Sequence, residues 1–72
     1  MLSLYDIVRL KEDDAERGVT KANDGVVVDI HSGGEAYTIE FFDDGGETIE
    51  DALFTTYTED ELTIVKTFSE MA

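Results

Sequence analysis

The sequence predicts an all-β domain, a small and strongly bent antiparallel barrel of about five short strands. Three observations point there. Proline is absent, and the six glycines at 18, 25, 33, 34, 45 and 46 punctuate the chain into strand-length segments. Those segments are rich in β-branched and aromatic residues, and Ala36 to Phe42 alternates apolar with polar at a period of two. Five such pieces within 72 residues leave room only for tight connections, and so short a sheet must bend to enclose a core.

Leu4 to Leu10 is read as the first strand. Lys11 to Asp24 is polar, with Ala15, Val19 and Ala22 its only apolar residues. A long exposed loop is expected there, with one short helical turn around Asp13 to Arg17. Gly25 to His31 is the second strand, with Val26, Val28 and Ile30 on one face. Ser32-Gly33-Gly34 supplies turn residues, and Ala36 to Phe42 returns with Tyr37, Ile39 and Phe41 on the buried side. Asp43-Asp44-Gly45-Gly46 is a second hairpin turn. Glu47 to Thr55 is read as the fourth strand, anchored by Ile49, Leu53 and Phe54, its register left open by a bulge position at Asp51-Ala52. Thr58 followed by Glu61 is a capping box, which opens a helical turn before a last strand over Leu62 to Phe68. One domain is expected over 1–72, with its core at about 4–66 and a short tail over 67–72.

Composition narrows the function classes. With 42% hydrophobic residues, four Phe and three Tyr, the chain is too apolar to be a disordered acidic segment. A chain this short buries only about 60% of its unfolded surface, so modest stability is expected. Cysteine is absent, which excludes disulfides, thiolate chemistry and zinc knuckles. No apolar run approaches the roughly 20 residues of a membrane span. Asp6 and Arg9 interrupt the first ten residues, so no signal peptide is expected and a cytoplasmic location is.

Catalytic and metal signatures are weak. His31 is the only histidine, and its position at a strand end beside a glycine turn favours an exposed strand residue over a general base. Asp43-Asp44-Gly45-Gly46-Glu47 lacks the alternating acids and the twelfth-position glutamate of a calcium loop, and a hairpin turn accounts for it. The glycine pairs are not followed by the Lys-Ser/Thr of a phosphate cradle. Little concave volume is expected of so small a barrel, so no enzyme activity, metal or cofactor is expected. Tyr5, Phe42, Phe54, Tyr57 and Phe68 are candidate surface aromatics, against the plainer reading that most of them fill the core.

Several segments together resemble DUF4926, a family of small bacterial proteins of unknown function. They are Leu4-Tyr5-Asp6-Ile7-Val8-Arg9-Leu10, Asp24-Gly25-Val26-Val27-Val28, Glu35-Ala36-Tyr37-Thr38-Ile39-Glu40-Phe41, Gly46 to Thr48, and the acidic turn Glu59 to Leu62. The resemblance spans roughly Leu4 to Leu62 and implies an SH3-like β-barrel with a long first loop. It transfers no catalytic residue. The run Glu50 to Tyr57 is longer than the family's fourth strand, and the tail after Leu62 is extra.

Charge is the most specific feature. Lys and Arg are excluded from residues 22–65, where twelve acids lie, while the first 21 residues are nearly balanced. Almost all of the net charge of −13 therefore sits in one stretch. A surface tuned for solubility alone mixes signs, and self-repulsion of this size opposes compactness. On a small barrel, Asp29, Glu40, Glu47 and Glu50 would lie on the sheet, and Asp43, Asp44, Asp51, Glu59, Asp60 and Glu61 at or near turns. Carboxylates spaced on a rigid scaffold can imitate a phosphate backbone. The expected function is therefore a non-enzymatic acidic binding protein that blocks a basic, nucleic-acid-binding surface of a partner protein. This is the strategy of anti-CRISPR and anti-restriction inhibitors. One alternative is an antitoxin or immunity protein that neutralises a basic toxin. Another is a regulatory SH3-like interaction domain that uses an aromatic patch, its acidity incidental. Direct contact with nucleic acid or a membrane surface is not expected, because both repel an acidic protein.

Crowded ionised carboxylates repel across water, and dissolved ions screen that repulsion. Raising ionic strength from low salt to about 0.15 M, where the Debye length is about 8 Å, is expected to raise the melting temperature. A fall measured by scanning calorimetry would mean that specific ion pairs dominate instead.

Overall fold

A computed structural model of the protein describes residues 1–68. It is all-β, with five antiparallel strands in one sheet: β1 Ile7–Leu10, β2 Gly25–His31, β3 Ala36–Phe41, β4 Thr56–Tyr57 and β5 Leu62–Lys66. The spatial order is β4-β3-β2-β1-β5. Among the described residues the helical elements are 3-10 turns at Ala15–Arg17, Glu50–Ala52 and Glu59–Glu61; the first and last fall where the sequence placed helical turns, and the second was not expected.

β3 is the strand on which the sequence is most explicit. Tyr37, Ile39 and Phe41 are fully buried, and Thr38 and Glu40 turn outward, the alternation that a half-buried strand imposes. β2 pairs with it along Gly25↔Phe41, Val27↔Ile39 and Ile30↔Tyr37. Val27, not Val26 or Val28, enters the core. A bulge between Val27 and Asp29 leaves Val28 outside the pairing and rephases the strand, so that Ile30 again faces the interior. The expected face was thus displaced by one residue before the bulge and restored after it. The β2–β3 turn carries positive φ at both Ser32 and Gly33, as a tight hairpin requires.

The segment expected as a fourth strand is built differently. Phe42 and Thr48 form an isolated bridge around the Asp43–Gly46 turn, and the chain then enters the Glu50–Ala52 turn rather than extending. Ala52 is buried in the core and Ile49 packs against it, while Leu53 and Phe54 face solvent. The strand itself is only Thr56–Tyr57, paired with Thr38 and Tyr37 of β3. Tyr57 packs edge-on against Phe41, with ring centroids 5.6 Å apart. The capping box is formed, Glu61 Oε1 accepting the Thr58 backbone N–H at 2.9 Å.

The first loop is long, yet it is anchored. Asp14 and Val19 exchange backbone hydrogen bonds across the Ala15–Arg17 turn, which drives the Val19 side chain into the core. Asn23 Oδ1 accepts the Thr20 N–H at 2.7 Å and closes the return to β2.

A flat sheet of five strands would hold its edges about 19 Å apart. Here Tyr57 of β4 and Leu62 of β5 are joined by four residues, three of them in a 3-10 turn that rises about 2 Å per residue. The sheet must therefore curl. β4 and β5 do not pair with each other, so it stops short of the closed barrel that was expected. The N-terminal segment fills the seam. Leu2 is buried and donates its N–H to Tyr37 Oη at 3.2 Å. Asp6, 4% exposed, accepts N–H groups from Ser3 at 2.9 Å and Phe68 at 3.1 Å. Of the tail expected over 67–72, residues 69–72 lie outside the described residues, and Phe68 is tied back by that bond to Asp6.

Gly25 marks the closest approach within the core. A Cβ placed there would lie 2.6 Å from Ile39 Cγ2 and 2.7 Å from Phe41 Cδ1. Gly25→Ala is therefore expected to cost about 2 kcal/mol by overpacking, a fall of roughly 8–16 °C in Tm for a domain this small. Gly45→Ala, whose Cβ meets only Asp43 Oδ1 at 3.4 Å, is the control and should change stability by less than about 0.5 kcal/mol. Thermal melts of the two variants check both statements.

Candidate functional site

Nine of the ten acids singled out from the sequence are exposed; Glu40 is half-buried and accepts the Thr48 hydroxyl at 2.7 Å. Asp29 lies on β2, while Glu50 and Asp51 open the second 3-10 turn and Glu59, Asp60 and Glu61 form the third. Some of them are committed to the fold. Asp43 Oδ1 accepts N–H groups from Gly45 and Glu47 at 2.9 and 3.0 Å, so the turn consumes the carboxylate that a calcium loop would need. Glu59 lies 3.4 Å from both the N-terminal amino group and the Tyr37 hydroxyl. Asp44, Glu50, Asp51 and Asp60 have no polar partner for their carboxylates among the described residues.

The fold gathers these acids into two clusters. Asp43, Asp44 and Glu47 line an open groove of about 570 Å³ with Thr20, Asn23 and Ile49. Asp60 and Glu61 line another, of about 550 Å³, with Glu12, Asp13 and Asp14 of the first loop. Asp29, Glu40, Glu50, Asp51 and Glu59 line neither. The three loop acids were not among the expected residues, because Lys11 and Arg17 balance them locally along the chain. Folding sets aside part of that balance: Arg17 is held by Asp14 at 3.3 Å and by Thr55 Oγ1 at 3.0 Å. Arg9 is likewise held by Asp24 at 2.7 Å. Concave surface is more abundant than the length of the chain suggested, though these grooves are open.

Tyr57 sits at the floor of the second cluster and donates its hydroxyl to Asp14 Oδ2 at 2.9 Å. Burial, and then this bond to a carboxylate, push the Tyr57 hydroxyl well above the ordinary tyrosine range. It is a fixed neutral donor at any physiological pH. His31 Nε2 lies 2.7 Å from Thr38 Oγ1 and 4.0 Å from Asp29 Oδ2. Both partners face the same ring nitrogen, whereas a proton relay needs the hydroxyl and the carboxylate on opposite nitrogens. The contact is a cross-strand hydrogen bond between β2 and β3. Among the described residues no group of three carboxylate or histidine side chains is placed to hold a metal ion.

Of the five candidate surface aromatics, Tyr57 is buried and Phe42 half-buried, while Tyr5, Phe54 and Phe68 are exposed. Tyr5 and Phe68 stack with centroids 5.5 Å apart. Phe54 is 89% exposed and held at φ 65°, a left-handed conformation that a bulky residue adopts only under strain. It is the third residue of the Ala52–Thr55 turn that follows the Glu50–Ala52 3-10 turn, closed by the Thr55 N–H donating to Ala52 O at 3.3 Å. Among the described residues no helix is long and apolar enough to cross a membrane.

Neither the curated proteins nor the solved structures include a match to this chain. A family model does match residues 4–64, most of the sequence and all of β1 to β4. The chain belongs to the family defined by that model, the domain of unknown function DUF4926.

Proposed function

We propose that this protein is a non-enzymatic, acidic binding protein of the cytoplasm. Its carboxylates would cover a basic, nucleic-acid-binding surface of a partner protein, as a nucleic-acid mimic does. One observation carries the reading. Of the ten acids expected to meet a partner, only Glu59 and Asp29 have a basic group within 4.0 Å, the N-terminal amine and His31. The other eight have no cationic partner among the described residues. Charges left unpaired on a sheet scaffold keep their field, which speeds encounter with a basic surface and discriminates against acidic ones.

Phe54 favours a protein partner over mere solubility. A surface shaped only by solvation gains nothing from an aromatic ring held in strained backbone beside Glu50 and Asp51. A ring among acids can instead anchor an interface whose rim is electrostatic.

The test begins with a basic nucleic-acid-binding protein captured at low salt and released at high salt. Purified, it should lose bound DNA or RNA in a gel-shift assay as this protein is added. Asp44→Lys with Glu47→Lys, and separately Glu12→Lys with Asp60→Lys, should slow association and flatten its salt dependence. None of these four carboxylates accepts a hydrogen bond among the described residues, so folding is expected to survive. Phe54→Gly should leave Tm unchanged or higher, yet weaken binding by about tenfold. Displacement untouched by both double charge reversals, or retardation of nucleic acid by this protein alone, would refute the mimic. A partner that proves to be a basic nuclease toxin, inhibited without any competition with nucleic acid, would make the protein an antitoxin.

A further inference from the structure

β5 is an edge strand, and its free side is not protected in the usual ways. Beyond its ladder with β1, the Leu62 N–H is taken by Glu59 O of the preceding 3-10 turn, and no other backbone hydrogen bond reaches Thr63–Lys66 among the described residues. Edge strands normally blunt themselves with charges, proline or a covering loop. Here Ile64 and Val65 are exposed, and Lys66 at the far end is the only charge on the strand.

Two grooves flank this strand and share Ile64. One, of about 380 Å³, runs from Leu62 and Ile64 to Glu59 and Asp60, with Lys11 also on its wall. The other, of about 400 Å³, runs from Ile64 to Leu4 and Phe68. Together they form one track beside β5. It is acidic where the strand begins and apolar where it ends, with the Tyr5–Phe68 stack beyond.

From this track we infer that β5 accepts an extended segment of a basic partner as a sixth strand. Main-chain hydrogen bonds to the free edge supply the attachment. An apolar side chain of the guest packs on Ile64 and Phe68, and a lysine or arginine at its other end reaches Asp60, whose carboxylate has no partner among the described residues. Charge selects this guest. A second copy of the chain would bring another net charge of −13 to the contact, and a basic strand meets the opposite field. The inference rests on the proposed function only in taking the partner to be basic.

The full chain, labelled with nitrogen-15, is titrated with a synthetic peptide that alternates valine and threonine and carries lysine at one end. The expected result is amide shifts and slowed hydrogen exchange confined to Leu62–Lys66 and Asp60. N-methylation of alternate peptide residues, which removes donors from one edge only, should abolish binding. Ile64→Lys, and the milder Ile64→Thr, should weaken it by about tenfold or more. Asp44→Lys with Glu47→Lys should leave peptide binding nearly intact, so loss of nucleic-acid competition and loss of strand pairing are read separately. Shifts centred on Asp43–Asp51, binding indifferent to N-methylation, or no shift in Leu62–Lys66 would overturn the inference. So would concentration-dependent dimerisation, seen by light scattering and abolished by Ile64→Lys, which would make the guest a second copy.

Discussion

Covering the gap between β4 and β5 is the constraint on which this fold depends, because a sheet that does not close on itself would admit water to its core. The chain meets it with two buried polar side chains. Tyr37 presents its hydroxyl at the seam, accepting the Leu2 N–H and donating to Glu59 Oε1 at 3.4 Å. A single oxygen thereby joins the N-terminal segment, strand β3 and the 3-10 turn between the two edges. Asp6 repeats the device, accepting N–H groups from Ser3 on one side and Phe68 on the other. A carboxylate this deep is tolerable because its acceptor capacity is used. No buried side-chain polar atom among the described residues is left without a partner. With the seam sealed by Leu2, the small core of Val8, Val27, Ile39 and Phe41 is dry enough to hold the sheet.

That arrangement also sorts charge over the surface. β1 and the first loop hold four of the five cations, and Arg9 and Arg17 are occupied by Asp24 and Asp14. Of the acids in the turns after β3 and β4, only Glu59 meets a cation among the described residues, the N-terminal amine at 3.4 Å. Exposed pairs of this kind contribute little to stability, commonly under about 1 kcal/mol each. Unpaired acids contribute a standing repulsion. The chain thus carries a cost of charge in a domain with a small core, and the proposed basic partner is the simplest relief of it. The flank along β5 suits a different kind of contact, made mainly by backbone and apolar groups, and the two proposed surfaces meet at Asp60, which lines both the acidic cluster and the groove beside β5.

How much of this was legible in the sequence depended on whether a segment obeys a simple period. β3 does, and its buried and exposed residues were readable one by one. β2 was readable as a strand but not in phase, because a bulge adds a residue that only its partner strand reveals. Glu47 to Thr55 misled, since of the expected anchors only Ile49 packs against the core, Leu53 and Phe54 face solvent, and the smaller Ala52 is buried instead. The capping box at Thr58 and Glu61 was readable because it is a local contact with fixed spacing. In the candidate site, the acidic block was plain, but its grouping was not. Glu12, Asp13 and Asp14 meet Asp60 and Glu61 only because the first loop folds back on Val19, a contact across distant parts of the chain. Linear charge balance cannot report which cations folding will sequester.

Strain distinguishes the two aromatic positions from ordinary surface residues. Outside glycine, positive φ occurs among the described residues at Ser32, Tyr5 and Phe54. Ser32 lies in a hairpin turn whose geometry demands it. Tyr5 and Phe54 are the third residues of hydrogen-bonded turns, Asp6 N–H to Ser3 O at 3.2 Å and Thr55 N–H to Ala52 O at 3.3 Å, which ask for positive φ there. Both are bulky and exposed, and each costs on the order of 1 kcal/mol or more that glycine or asparagine would spare. Tyr5 is fixed by its N–H donating to Val27 O at 2.8 Å, and its ring rests on Phe68 at the apolar end of the β5 track. Phe54 stands beside the unpaired acids Glu50 and Asp51. A sequence optimised for stability alone would replace both residues. The turns account for the positive φ at both positions, and the choice of an exposed aromatic over glycine there fits the proposed contact with a partner.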